Sequence, residues 1–154
     1  MAETGFEELR RLAVEAGDMR SLAIGMAGQV GALAVHGRYR EAADLSSELV
    51  DLLDAINDPD LTVALLHTTL SAKYALGEMA DVVRLAQRVI DLTEGDPRKG
   101  SILTESPLLI AMTLQATARA CLGQAGWQRD VDATLELLRE INPAARAGLL
   151  MYCG

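Results

Sequence analysis

The sequence predicts an all-α fold of stacked antiparallel helix hairpins, and three observations lead to this prediction. Half of the 154 residues are hydrophobic but only 3% are aromatic, so aliphatic side chains must form the core, which suits packed helices. Proline occurs at only four positions, and apolar residues recur at three- and four-residue steps in the segments between them. Three glycine turns each separate a mostly apolar segment from an amphipathic one.

Caps and breakers divide the chain into seven predicted helices. Thr4 and Glu7 have the spacing of a capping box, so the first helix should begin beside them. Asp18 follows a glycine breaker and can cap the second helix. The predicted helices cover residues 5–16, 19–36, 39–56, 61–76, 79–93, 107–122 and 127–141. One long connection runs from Gly95 to Ser106, and a further partial helix is predicted in the apolar tail after residue 142.

The three glycine turns repeat along the chain. The gaps between Gly37, Gly77 and Gly123 are 40 and 46 residues, longer than the repeat of about 34 residues in tetratricopeptide proteins but suited to helix-pair solenoids. A single hairpin cannot bury its own apolar face, so neighbouring hairpins are expected to stack. We therefore expect one tetratricopeptide-like domain over 1–154, with about three and a half hairpins. A compact helical bundle is the alternative, because it would show the same patterning.

Charge and composition argue against several classes of partner. The net charge of −8 repels nucleic-acid phosphate and anionic lipid, so neither a nucleic acid nor a membrane is an expected partner. No apolar stretch reaches the roughly 18 residues of a transmembrane helix, and the N-terminus lacks the apolar core of a secretory signal. We expect a cytoplasmic protein. Cys121 is predicted to be a small buried hydrophobe, and Cys153 a free thiol.

The sequence contains no motif that predicts catalysis, a metal site or a cofactor. His36 and His67 are 31 residues apart and lie outside any metal-ligand spacing, so both are interpreted as structural. The segment 95–101 contains two glycines and a lysine, but it lacks the order of a phosphate-binding loop and no strand precedes it. We therefore predict that the domain is not an enzyme.

The third predicted helix carries the densest charge. Four acidic residues lie on its polar face, where a solvated helix side is the interpretation that we favour. A docking face for a basic segment, or a weak cation site, is the alternative. The four residues are Asp44, Glu48, Asp51 and Asp54.

Residues 95–130 resemble a known family more specifically than the rest of the chain. The segment is similar to the C-terminal helical-repeat region of large actinobacterial regulators, which combine an ATPase module with an adenylate-cyclase-like or LuxR-type DNA-binding domain. The matching residues are Gly95, Asp96, Pro97, Lys99, Gly100, Ser106, Pro107, Leu122, Gly123, Gly126, Trp127 and Asp130. The resemblance implies a sensing or protein-contact role. It transfers no catalytic activity, because catalysis in those regulators belongs to other domains.

Two functional hypotheses follow, and self-association accompanies both. In the first, the module is non-catalytic and mediates protein–protein interaction or intramolecular regulation in a signalling or transcriptional regulator. A protein or peptide would then bind the surface lined by the first helix of each hairpin. The polar candidates on that surface are Gln29, His36, Thr69, Lys73, Gln115 and Arg119.

The second hypothesis is a sensor for a small anionic effector. Arg98, Lys99 and Arg119 would converge on the ligand between the long connection and the repeats. A homodimer is also predicted, because the end repeats of a stack expose apolar faces unless they are capped.

Overall fold

Seven α-helices and no strand occupy the part of the chain that a computed structural model describes, which is residues 2–101 and 106–141. The helices are α1 (Ala2–Ala16), α2 (Met19–Val35), α3 (Tyr39–Ile56), α4 (Pro59–Ala75), α5 (Met79–Thr93), α6 (Pro107–Cys121) and α7 (Trp127–Ile141). The predicted all-α class is therefore confirmed. The partial helix predicted after residue 142, and Cys153 with it, lie outside the described residues.

Side-chain caps and proline fix where the central helices begin. The side chain of Asp58 accepts a hydrogen bond from the Leu61 N–H at 3.0 Å, and Pro59 occupies the first turn of α4. This helix therefore begins two residues earlier than predicted. Ser106 and Pro107 start α6 in the same way. By contrast, α1 begins at Ala2, so the prediction that Thr4 caps it is wrong.

Glycine ends the first helix of each hairpin because the chain must reverse in a left-handed conformation there. Gly37 has a φ of 74°, and its N–H donates to the carbonyl of Ala34 at 3.0 Å. The next N–H, of Arg38, reaches back to the carbonyl of Leu33 at 2.9 Å. Gly77 and Gly123 close α4 and α6 with the same pair of bonds. The repeated glycine turns are thus equivalent positions in the fold.

The order of helix contacts is simple. Each helix packs against the next along the chain, and the first helices of the hairpins, α2, α4 and α6, also pack as α2–α4 and α4–α6. Among the described residues, α2 does not pack against α6, and α1 packs against α2 and reaches α3 through the ion pair of Arg10 with Glu48 at 3.4 Å. Helix hairpins placed side by side would produce this order of contacts.

The core is centred on α4. Leu61, Leu65, Leu66 and Leu70 of this helix are 2% exposed or less, and they belong to a cluster that continues into α2, α3, α5 and α6. Burying one leucine side chain stabilises a fold by about 1.5–3 kcal/mol. The helix α4 is thus enclosed by α2, α3, α5 and α6.

The loop that follows α5 is anchored on the beginning of α4 through a single glycine. Gly100 has a φ of 72°, and a Cβ added to it would lie 2.6 Å from Cγ1 of Val63 and 2.9 Å from the backbone N of Ala64. Only a residue without a side chain can therefore sit there. A hydrogen bond within the loop helps to fix its conformation: the Arg98 N–H donates to the carboxylate of Asp96 at 2.9 Å.

Replacing Gly100 tests this anchor. We expect Gly100→Ala to lower the free energy of unfolding by about 3 kcal/mol, because it combines backbone strain with overlap against α4. Gly95→Ala is the matched control, since Gly95 has a φ of 83° but open space around it. The control should cost about 1 kcal/mol. Denaturant unfolding of both variants measures the difference, and equal losses would show that the contact with α4 is unimportant.

Candidate functional site

A groove with a volume of about 530 Å³ lies between α1 and α2. We call it the end groove. Residues of both helices and of the following turn line it, and none of them is acidic. They are Gly5, Phe6, Leu9, Gly25, Gly28, Gln29, Ala32, Leu33, His36 and Arg38. The groove is therefore mostly apolar, with its polar groups at Gln29 and near the end of α2.

Glycines on α2 give the end groove its shape. At Gly25 the two helices touch, because an added Cβ would lie 2.4 Å from Cδ2 of Leu9. One turn later, at Gly28, no atom lies within 4 Å of the corresponding position. The helices thus meet at one glycine and leave a gap at the next, and Phe6 and Leu9 form the opposite wall of that gap.

An apolar stripe on α2 continues outward from the groove. Ile24 is 47% exposed and Val35 is 86% exposed, and the residues between them on this face, Gly28 and Ala32, are exposed as well. Contiguous exposed apolar surface often marks an interaction site. The stripe makes the end groove the main candidate for a binding surface.

The repeat explains why this stripe is open. Forty residues later, Ala64 and Ala72 of α4 correspond to Ile24 and Ala32, and both are fully buried. Ala72 is covered by α2, since it clusters with Val30 and Leu33. At Ala32, the uncovered stripe on α2 therefore corresponds to a position that, one hairpin later, packs against the preceding first helix, whereas Ala75, the counterpart of Val35, stays exposed on α4.

Two of the predicted site residues line the end groove. The Oε1 atom of Gln29 is buried and has no hydrogen-bond partner. His36 is exposed at the end of α2, and its Nδ1 lies 2.7 Å from the carbonyl oxygen of Ala32. Arg38 also lines the groove, and its guanidinium forms an ion pair with Glu41 at 2.6 Å. Gln29 is thus the polar group of the groove whose acceptor lacks a partner.

Three other predicted site residues are not on the surface, so the expectation that they are exposed is wrong. Thr69 is fully buried, Gln115 is 5% exposed and Lys73 is 8% exposed. The amide of Gln115 donates to Oε1 of Gln87 on α5 at 2.9 Å. The ammonium of Lys73 lies 2.7 Å from the carboxylate of Glu78. The side chain of Gln115 on α6 thus bonds to α5, and that of Lys73 on α4 bonds to the residue that precedes α5.

The three cations of the predicted effector site are not brought together. Gly100 places the loop of Arg98 and Lys99 against the start of α4, whereas Arg119 lies in the last turn of α6. Lys99 pairs with Glu94 at 3.7 Å, and Arg119 pairs with Asp130 at 2.7 Å. The cations line neither the end groove nor a second cavity of about 390 Å³ beside Met19. No described cavity supports the sensor hypothesis.

The remaining sequence predictions have mixed outcomes. The acidic side chains of α3 are exposed as expected, and Asp54 forms an ion pair with Arg88 at 2.5 Å. Cys121 is exposed, so its predicted burial is wrong; it is the last residue of α6, where the helix runs out into the turn. Within residues 2–101 and 106–141, no cluster of three metal-ligating side chains occurs, and no helix has the length and apolarity to cross a membrane.

The sequence contained a signal for the end groove that the search for polar residues missed. Gly25, Gly28 and Gly31 recur at three-residue steps within one helix, although glycine weakens a helix. The later first helices carry no glycine at the corresponding positions. A glycine series confined to the first hairpin indicates that the surroundings of α2 differ from those of α4 and α6.

No family model, no curated protein and no solved structure matches the chain. The resemblance of residues 95–130 to actinobacterial regulators therefore stays a prediction. A functional assignment has to rest on the end groove and on the burial and charge of the residues around it.

One titratable group inside the fold has a shifted pKa. His67 lies half-buried in α4, and its Nδ1 is 2.9 Å from the carbonyl oxygen of Ala64. Burial lowers the pKa of this imidazole below its ordinary value of 6.5, against the opposing effect of the hydrogen bond to Ala64. The neutral form is therefore the one that the fold accommodates.

This shift predicts a pH dependence of stability. As the pH falls through 6.5, the unfolded chain takes up a proton at His67 that the folded chain disfavours, so the free energy of unfolding should decrease. Denaturant unfolding between about pH 7.5 and about pH 5.5 measures the slope. His67→Gln should flatten it, and His36→Gln, which removes the other histidine, should keep it. An unchanged slope in His67→Gln would contradict this prediction.

Proposed function

We propose that the chain is a non-catalytic helical-repeat module that binds an apolar helix in the end groove. The helix would come from a protein partner, or from another domain where the module acts in intramolecular regulation. The observation that carries this proposal is the uncovered stripe of Ile24, Gly28, Ala32 and Val35 on α2. Its counterparts Ala64 and Ala72 on α4 are fully buried, and Ala72 is covered by α2.

Shape and polarity both support a helical occupant. Packed helices approach to about 8–10 Å between axes when small residues lie at the contact, and Gly28 and Ala32 provide such a contact. The walls are apolar, so binding would be driven by burial of Phe6 and Leu9 in the groove and of Ile24 on the adjoining stripe. Recognition of an amphipathic helix in an apolar groove is a recurrent mode of peptide binding.

Gln29 would contribute selectivity. Its buried Oε1 lacks a partner in the free chain, and a hydroxyl or N–H group on the bound helix could donate to it after a small rotation of the amide. An acceptor without a partner costs about 1–3 kcal/mol in the free chain, and a donor on the occupant recovers part of that cost. The groove therefore favours an apolar helix that carries one donor near its centre.

Selection of helical peptides tests the proposal. From a displayed library of amphipathic helices, the chain should enrich sequences with apolar residues at three- and four-residue steps. Gly28→Glu should weaken binding of the enriched peptides at least about tenfold, or about 1.4 kcal/mol, because it places bulk and charge in the gap. Titration calorimetry measures the affinities.

Gly31→Glu is the matched control for this experiment. It introduces the same residue on the same helix, also into open space, at a position that does not line the end groove. Its counterparts are Ser71 on α4, which packs against both α2 and α6, and Thr117 on α6, the last of the three first helices. Both residues are partly exposed. The control should bind like the wild type. Equal losses in both variants, or no enrichment of helices, would overturn the proposal.

Gln29→Leu separates stability from binding. Removing the acceptor without a partner should raise the free energy of unfolding by about 1 kcal/mol, since an apolar group of similar size replaces it. The same variant should bind the selected peptides more weakly when they carry a central donor. Thermal unfolding and calorimetry on one preparation measure both effects. A variant that is less stable than the wild type would show that the Gln29 amide is satisfied within the fold.

A further inference from the structure

The exposed stripe on α2 is symmetric about its own midpoint. Ile24, Gly28, Ala32 and His36 follow one another at exact four-residue steps, and all four are exposed. Their sizes run large, small, small, large, so the stripe has the same profile in both directions along the helix. Residues at four-residue steps form one ridge on a helix surface. A ridge of this kind is complementary to an antiparallel copy of itself.

We propose, as an extension of the function proposed above, that the helix bound in the end groove is α2 of a second copy of this chain. A two-fold axis beside residue 30 would place Gly28 of one copy opposite Ala32 of the other. Ile24 would then lie opposite His36 of the other copy. Helices α1 and α2 of one copy and α1 and α2 of the other would form a four-helix arrangement around the axis.

The size profile fits the geometry of crossing helices. Two helices that pack through their four-residue ridges cross at about 50°, so they are closest at the crossing and diverge on either side. Gly28 and Ala32 lie at the crossing, where backbones must approach. Ile24 and His36 lie about one turn further out on each side, where larger side chains fill the widening gap.

The proposed contact would give α2 a packed neighbour on both of its sides. One side of α2 packs against α4 through Val30 and Leu33, and the proposed partner occupies the opposite, open side.

The available area is of the order that a dimer needs. The face formed by α1 and α2 is about 25 Å long and two helices wide, or roughly 500 Å² of flat area before the relief of the side chains is counted. Dimers of standard size bury about 800 Å² of accessible surface per partner, so the available face is of the required order.

Charges at the edges of the stripe are partly compensated within each chain. An antiparallel arrangement brings Arg20 of one copy toward residues near 40 of the other. Arg20 forms an ion pair with Asp58, and Arg38 forms one with Glu41. The exposed Arg40, which the same register brings toward Arg20, is a like charge at the rim of the contact.

Sedimentation equilibrium of the full chain tests the proposal. The wild type should show a reversible monomer–dimer equilibrium. Gly28→Glu should raise the dimer dissociation constant at least about tenfold, because it places a carboxylate opposite Ala32 of the other copy. Gly31→Glu should leave the constant within about threefold of the wild type. Circular dichroism confirms that both variants are folded. A monomeric wild type, or equal effects of the two substitutions, would overturn the proposal.

Cysteine cross-linking tests the antiparallel register. With Cys121→Ser and Cys153→Ser as background, a mixture of the Gly28→Cys and Ala32→Cys variants should form the mixed disulfide faster than either variant alone forms its own. Faster formation of the Gly28→Cys homodimer would indicate a parallel contact and overturn the register. A monomeric wild type that still binds selected helical peptides would remove the dimer and leave the proposed function in place.

Discussion

A helix hairpin leaves one apolar face that only a neighbouring hairpin can cover, and the rest of this structure depends on that constraint. The helix α4 satisfies it most completely, because α2, α3, α5 and α6 all pack against it. Its leucines are buried on nearly every side, and the loop after α5 is held to it through Gly100. The helices further from α4 satisfy the constraint less fully, and α2 satisfies it on one side alone.

The sequence predicted the helices well because their ends are local. Caps such as Asp58 and turn glycines such as Gly77 act through hydrogen bonds to residues three to five positions away. Errors arose where a local pattern had two solutions. The capping-box spacing of Thr4 and Glu7 also occurs inside a helix, and there α1 simply continues through it.

Side-chain exposure was harder to predict, because it depends on which neighbour each helix face meets. Gln115 and Lys73 are polar, and they were expected on the surface. Both instead reach across to the second helix beside them, where Gln87 and Glu78 satisfy them. The turn glycines already imply that Gln29, Thr69 and Gln115 are equivalent, each eight residues before its glycine. What the repeat cannot supply is which helices lie beside α2: among the described residues no other first helix packs on the face of α2 beside α1, and Gln29 lies in the groove there.

The end groove also differs from the rest of the molecule in charge. The chain has 22 acidic residues and a net charge of −8, so two copies, or a copy and another acidic protein, repel one another over most of their surfaces. Among the described side chains, no acidic one lines the groove, and His36 and Arg38 lie at its end. Repulsion at about 0.15 M salt extends over roughly 8 Å, so it acts against loose encounters and little against a contact that excludes water. Among the described residues, the charge distribution therefore opposes a close contact on the acidic faces more than at the end groove.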